Sequence, residues 1–240
     1  QPRRTAYKPS PFYLPTHNLE PAVLRRSDPR LEVTLDDVTV KAAQKYVGNT
    51  FDPPVACFNA AIAEVTNMLR KVVRKSGSVS YETATDSQFM PIDWSTSPGH
   101  KYQGLSKRQL LEDPRYSELF REDVDDQLLS PGTYFTTYLK DELRPISKVK
   151  VGKTRAIEAC NFDYVVAYRM IMGKIYQQIY DDKACVSGIG VGICPYLHWG
   201  DMMRHHHPYA LCLDFSGFDG SLPPELMEAA VNVLATFHSN

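Results

Sequence analysis

The chain has few cysteines and no CxxC pair among its 240 residues. Cys57, Cys160, Cys185, Cys194 and Cys212 are odd in number and scattered. That argues against a disulfide scaffold or a structural zinc site and favours a reducing compartment. No apolar run approaches the roughly 20 residues of a membrane-spanning helix. No leader pattern marks the N-terminus, so a soluble, intracellular chain is expected. Net charge is −1, so overall charge points to no partner. Internal repeats and low-complexity tracts are absent too. What is present is ordinary globular composition, 43% hydrophobic and 23% charged. It suffices for one large domain or two small ones with a real core.

Six prolines within residues 1–31 (Pro2, Pro9, Pro11, Pro15, Pro21, Pro29) predict extended chain there. Residues 54–75 place Val55, Phe58, Ile62, Val65, Met68, Leu69 and Val72 at helical spacing, with a basic end suited to the helix dipole. Residues 76–107, rich in Ser, Thr, Gly and Pro, read as loop. Short helices are expected near 106–112 and 115–122, and a strand at "YFTTYLK", 134–140. A long helix is expected over 163–181, capped by Asp163, with Val166, Met170, Ile171, Ile175 and Ile179 on one face. A last helix begins near "SLPPELMEAAVNVLATF", with Ser221 as its cap and Pro223 in its first turn.

Several motifs imitate known sites. "VGKTR" at 151–155 ends like a phosphate-binding P-loop, but Ser147 stands where the first glycine is needed. "GIGVG" has Gly188, Gly190 and Gly192, without the third spacing of a dinucleotide fingerprint, and reads as a turn. Tyr180, Asp181 and Asp182 trail an amphipathic helix, unlike a metal-binding turn between strands. His205, His206 and His207 are consecutive and cannot all face one ion on a regular element, so a surface loop is expected.

Two segments survive. In "ALCLDFSGFDGSL", residues 210–222, an apolar run read as a buried strand ends in Asp214, and Asp219 follows five positions later. Burying an unpaired charge is costly, so such an acid implies a bound partner. In "KDELRPISKVKVGKTR", residues 140–155, six basic residues meet only Asp141 and Glu142. If the part after Pro145 is extended, Lys148 and Lys150 share a face, Gly152 turns the chain and Arg155 returns. A basic hairpin suits a triphosphate or a nucleic-acid backbone, with a solvated basic face as the alternative. A triphosphate brings a divalent metal, and a metal needs carboxylate oxygens. One aspartate for metal and one for ribose is the arrangement this suggests, with a turn or helix-capping role as the alternative for Asp219.

"KDELRP…KV…GKTR" followed by "DFSGFDGSL" resembles the picornavirus RNA-dependent RNA polymerase, as do "EPAVL" (20–24), "DPRL" (28–31) and "STSPG" (95–99). The resemblance covers nearly the whole chain. It implies an α+β (α/β) right-hand polymerase fold: helical fingers over 1–171, then 172–240 as the start of an antiparallel-sheet palm. The family's Gly-Asp-Asp turn and thumb have no counterpart among these residues, so an incomplete part of the enzyme, inactive alone, is expected. The resemblance further implies that Asp214 is catalytic and binds Mg²⁺, or Mn²⁺ in its place, with the Phe215 carbonyl as a further ligand. Lys140, Arg144, Lys148 and Arg155 would meet the nucleoside triphosphate. Asp219 would read the ribose 2′-hydroxyl, and Thr96 and Ser97 would touch the template. Implied partners are RNA template and primer, the downstream remainder of the polymerase and other viral replication proteins. The implied place is the host cytoplasm, at membrane-associated replication sites. A non-catalytic RNA- or protein-binding fragment is the alternative.

Overall fold

A computed structural model of the chain describes residues 5–8, 10–12, 18–34, 44, 46–47, 52–205, 209, 211–215 and 217–239. His206 and His207 of the histidine run, and Pro2, Pro9 and Pro15, lie outside them. Two compact units form, one from Gln1–Gly48 with Tyr134–Cys160, the other from Asn49–Thr133 with Asn161–Asn240.

The first unit is built on two short antiparallel pairs. Strand β1 (Leu19–Pro21) pairs with β3 (Leu143–Pro145), Glu20 standing opposite Arg144. Proline lacks an N–H for the ladder, and Pro21 and Pro145 close these three-residue strands. Strand β2 (Thr136–Leu139) pairs with β4 (Ala156–Ala159), as the β-branched and aromatic run predicts. Between β3 and β4, helix α5 (Ile146–Lys150) replaces the extended arm expected there. The extended reading fails because Val149 turns inward onto Val23, Leu31 and Leu139, a contact that one helical turn supplies. Lys148 and Lys150 therefore follow helical spacing and do not share one face of a strand. Gly152 does turn the chain, at φ 62°, in the left-handed region. The buried Thr154 hydroxyl donates to the Val23 carbonyl at 2.9 Å.

The second unit is helical. In chain order the helices on its first segment are α1 (Val55–Leu69), α2 (Tyr81–Thr85), α3 (Lys107–Glu112) and α4 (Ser117–Leu129). After the first unit's α5 come α6 (Phe162–Asp181), α7 (Pro195–His205), α8 (Phe218–Ser221) and α9 (Pro224–Ala235). Helix α6 is the spine. Its N-terminal half meets Val79, Ala84, Leu110, Phe120 and Val124, and its C-terminal half meets Leu69, Val73, Val233 and Phe237. Buried Arg169 on α6 donates to the carbonyls of Ala84 (2.6 Å), Asp86 (3.3 Å) and Met90 (2.8 Å), tying the preceding loop to the spine.

Four expectations need correction here. The stretch 76–107 is not all loop: Ser80 caps α2 and a 3-10 turn spans His100–Tyr102. Helix α4 runs to Leu129, seven residues beyond the expected end, since Val124 and Leu128 both pack into the core. Asp163 does not cap α6. Asn161 holds that position, and Asp163 lies fully buried inside the first turn, 3.1 Å from Lys101 Nζ. Ser221 does not cap the last helix either. It ends α8, its hydroxyl donating to the Phe218 carbonyl at 2.8 Å, and Pro223 precedes α9.

Candidate functional site

The basic segment gathers around one carboxylate. Lys140, Glu142 and Arg144 alternate with a period of two along chain running into β3, and Arg155 stands just before β4. The Lys140 N–H donates to the Arg155 carbonyl at 2.8 Å, closing the base of the hairpin. Glu142 is buried. Arg155 Nε donates to Glu142 Oε1 at 2.8 Å and Oε2 at 3.1 Å, and Arg155 Nη2 donates to Oε2 as well. Arg144 Nη1 lies 3.5 Å from Oε1 and Lys140 Nζ 3.9 Å from Oε2. The Arg155 hydrogen bonds, then the charges of Arg144 and Lys140, hold the Glu142 carboxyl below its usual range. Among the described residues three cations lie around this one carboxylate, and such a gathering of positive charge suits a polyanion.

Arg144 is 16% exposed at its side chain, and its Nε is buried with no hydrogen-bond partner. Lys148 is exposed on α5, whereas Lys150 pairs with Glu32 at 3.2 Å. The helical turn thus separates the two lysines that the extended reading placed together. Glu142 is the residue sequence reasoning missed. Its signal was its place between Lys140 and Arg144 on the same two-residue period.

Thr96 and Ser97 lie on an exposed loop of the second unit. Asp93 accepts from the Ser95 N–H at 2.9 Å, and the Thr96 hydroxyl donates to the Asp93 carbonyl at 3.0 Å. Ser97 Oγ accepts from the Gly99 N–H at 3.2 Å. Lys107 Nζ donates to the Asp93 carbonyl at 2.8 Å and to Thr96 Oγ1. The loop is anchored through the Pro98 carbonyl, which accepts from the Phe162 N–H at 2.8 Å.

Asp214 and Phe215 depart most from expectation. Residues 211–215 form no strand and are exposed, Leu211 at 83% and Leu213 at 73%. A strand needs a hydrogen-bonding neighbour, and none of the described residues pairs with this run. Phe215 sets its ring against Phe218, centroids 5.7 Å apart. Asp219 lies in α8, entered through Gly217 at φ 63°. Among the described residues no three His, Cys, Asp or Glu side chains group to hold a metal. The hard oxygens of Asp214 and the Phe215 carbonyl suit magnesium or manganese in kind, but supply only two of roughly six ligand positions.

The cationic hairpin belongs to the first unit and the Asp-bearing loop to the second, and likeness to known proteins supplies the class. A family model for the viral RNA-dependent RNA polymerase matches residues 9–239, and the chain belongs to that family. It is 40% identical over 251 residues to the genome polyprotein of Ljunganvirus 1, covering 99% of this chain and 11% of that protein. Against the genome polyprotein of human parechovirus 2 (strain Williamson) it is 38% identical over 232 residues, covering 92% and 11%. Against that of poliovirus type 1 (strain Mahoney) it is 32% identical over 244 residues, covering 97% and 11%. The chain thus spans about a tenth of the length of the curated relatives it matches. Among solved structures, the Sicinivirus 3Dpol RNA dependent RNA polymerase superposes with a TM-score of 0.76 at 26% identity. That match covers 92% of this chain and 48% of the solved one, so the fold is part of a right-hand polymerase. No helix among the described residues is long and apolar enough to cross a membrane.

Proposed function

We propose that this chain forms the fingers (1–171) and the first part of the palm (172–240) of a polymerase that copies viral RNA from an RNA template. The observation that carries the reading is the gathering of Lys140, Arg144 and Arg155 around buried Glu142, in a chain matched from 9 to 239 by the polymerase family. Incoming nucleoside triphosphate brings about four negative charges. The cluster supplies an excess of positive charge, and Glu142 fixes the orientation of the two guanidinium groups before the ligand arrives. Preorganised charge of this kind costs no reorganisation during the reaction. Lys148, exposed on α5, adds a further cation for the phosphates.

Asp214 and the Phe215 carbonyl would hold divalent metal together with carboxylates from the remainder of the enzyme. The metal, when bound, stabilises charge on the reacting phosphate oxygens. Asp219 accepts a hydrogen bond from the ribose 2′-hydroxyl, and the Thr96–Ser97 loop supports the template. Partners are RNA template and primer, nucleoside triphosphates, the rest of the polymerase and other viral replication proteins. The setting is the host cytoplasm, at membrane-associated replication sites. On this reading the chain alone does not incorporate nucleotides, because Asp214 and one carbonyl leave most ligand positions of the metals unfilled.

The test is nucleotide dependence in the complete enzyme. Lys148→Ala should weaken nucleotide binding by about 10- to 150-fold, one charge-assisted contact, while RNA affinity changes less. An unchanged nucleotide KM would return Lys148 to a solvated surface.

A further inference from the structure

The turn that ends α1 carries four cations in six positions, Arg70, Lys71, Arg74 and Lys75, with no acid between them. Among the described residues none of the four forms an ion pair. Arg70 Nη1 donates to Asn67 Oδ1 at 3.0 Å. Arg70, Arg74 and Lys75, together with Val73, Thr236 and Phe237, line a cavity of about 520 Å³, with no acid among the described residues of its wall.

The backbone carrying these cations is fixed on both sides. The Arg74 N–H donates to Gln178 Oε1 at 2.8 Å, and Gln178 Nε2 donates back to the Arg74 carbonyl at 3.2 Å. Two residues on, the Ser76 N–H donates to the Phe237 carbonyl at 3.0 Å and the Ser76 carbonyl accepts from the Ser239 N–H at 3.1 Å. A loose basic tail would gain nothing from such clamps. Basic side chains at a helix C-terminus do offset the helix dipole, but that dipole amounts to only about half a charge. Four cations exceed it several-fold.

We propose that this cavity binds the phosphate backbone of single-stranded RNA. Arginine forks match phosphate oxygens in pairs, and a concave wall lets three cations reach one strand together. The apolar wall residues Val73 and Phe237 are only 3% and 4% exposed. They leave no apolar anchor for a peptide, which would need one at the centre of its interface. A flat bilayer surface reaches poorly into a concave wall, and nothing apolar here inserts into lipid. The inference goes beyond the polymerase reading and rests on it only in taking RNA as the polyanion.

The experiment uses the complete polymerase carrying Arg70→Gln, Arg74→Gln and Lys75→Gln together, with an unstructured oligouridylate as probe. Kd is measured between about 50 and 200 mM salt. Each phosphate contact on a single strand contributes about 0.7 to the slope of log Kd against log salt, so the triple variant should lose about 2 from that slope. RNA affinity at low salt should fall at least about tenfold, and Arg70→Lys with Arg74→Lys should keep the wild-type slope. An unchanged slope overturns the proposal. So does an equal loss in the lysine variant accompanied by a lowered melting temperature, which would make the arginines structural. A variant that loses binding to phosphatidylserine vesicles while keeping RNA binding also overturns it. A wild-type enzyme that shows this salt slope but incorporates no nucleotide would sink the polymerase reading and leave the site standing.

Discussion

Replacing Glu142 by Gln sets two effects against each other. The substitution removes the one anion among Lys140, Arg144 and Arg155, so the cluster becomes more positive. If charge alone mattered, nucleotide affinity would rise, by about 1 kcal/mol where water screens the carboxylate from a phosphate about 4 Å away. The same substitution releases the guanidinium groups. Arg155 is 59% exposed, so its share is that of a surface pair, about 0–1 kcal/mol. Arg144 is 16% exposed, and taking the anion from beside a largely buried guanidinium costs about 1–3 kcal/mol. The net is a loss of about 1–2 kcal/mol in the ordering of the two guanidinium groups, and nucleotide KM rises by up to about 5- to 30-fold when binding has to restore that order. Steady-state incorporation by the complete enzyme reads this directly. A lowered KM would refute the positioning role and leave only bulk charge. The pH dependence has a definite sign. A carboxyl held below its usual range stabilises the fold above that range and loses the contribution as pH falls through the lowered value. Wild-type stability should therefore drop more steeply than that of Glu142→Gln once pH falls below about 4.3, the ordinary glutamate value.

Asp219→Ala in the complete enzyme should lower discrimination between ribonucleotides and deoxyribonucleotides about 10- to 150-fold, read by single-nucleotide incorporation with matched substrates. Equal losses for both sugars with a lowered melting temperature would make Asp219 a turn residue. Arg169→Leu removes the buried donor to three carbonyls and should destabilise the helical unit by about 2–4 kcal/mol. Denaturant unfolding checks this, and a midpoint within error of wild type would contradict it.

Elements whose signal is local were legible in the sequence. Helix α6 follows from Val166, Met170, Ile171, Ile175 and Ile179 at helical spacing, of which Val166, Ile175 and Ile179 are buried and Ile171 is 39% exposed, and β2 follows from its β-branched and aromatic run. On α1, Leu69 is buried but Val55 and Val65 are 74% and 43% exposed, so periodicity located the helix better than its buried face. Failures fall where tertiary context decides. Val149 must face Val23, and that one contact turns residues 146–150 into a helix. Asp163 satisfies every local rule for a cap, yet it is drawn inside by Lys101, which lies 62 positions away in sequence and pairs also with Asp123 at 2.8 Å. The strand expected to end at Asp214 depends on a neighbouring strand that local pattern cannot supply. For the site, the cations of 140–155 were legible as a group, but the acid that organises them was counted only as a deficit of charge.

On the proposed reading Asp214 takes part in the chemistry while basic residues hold the RNA. Single-turnover incorporation on a preformed primer–template complex, compared for the complete enzyme and its Asp214→Asn variant, tests it most directly. Turnover should fall at least about a thousandfold, about 4 kcal/mol of lost transition-state stabilisation, with RNA Kd within about threefold of wild type. RNA affinity falling in step with turnover, or incorporation surviving the substitution, would contradict the account.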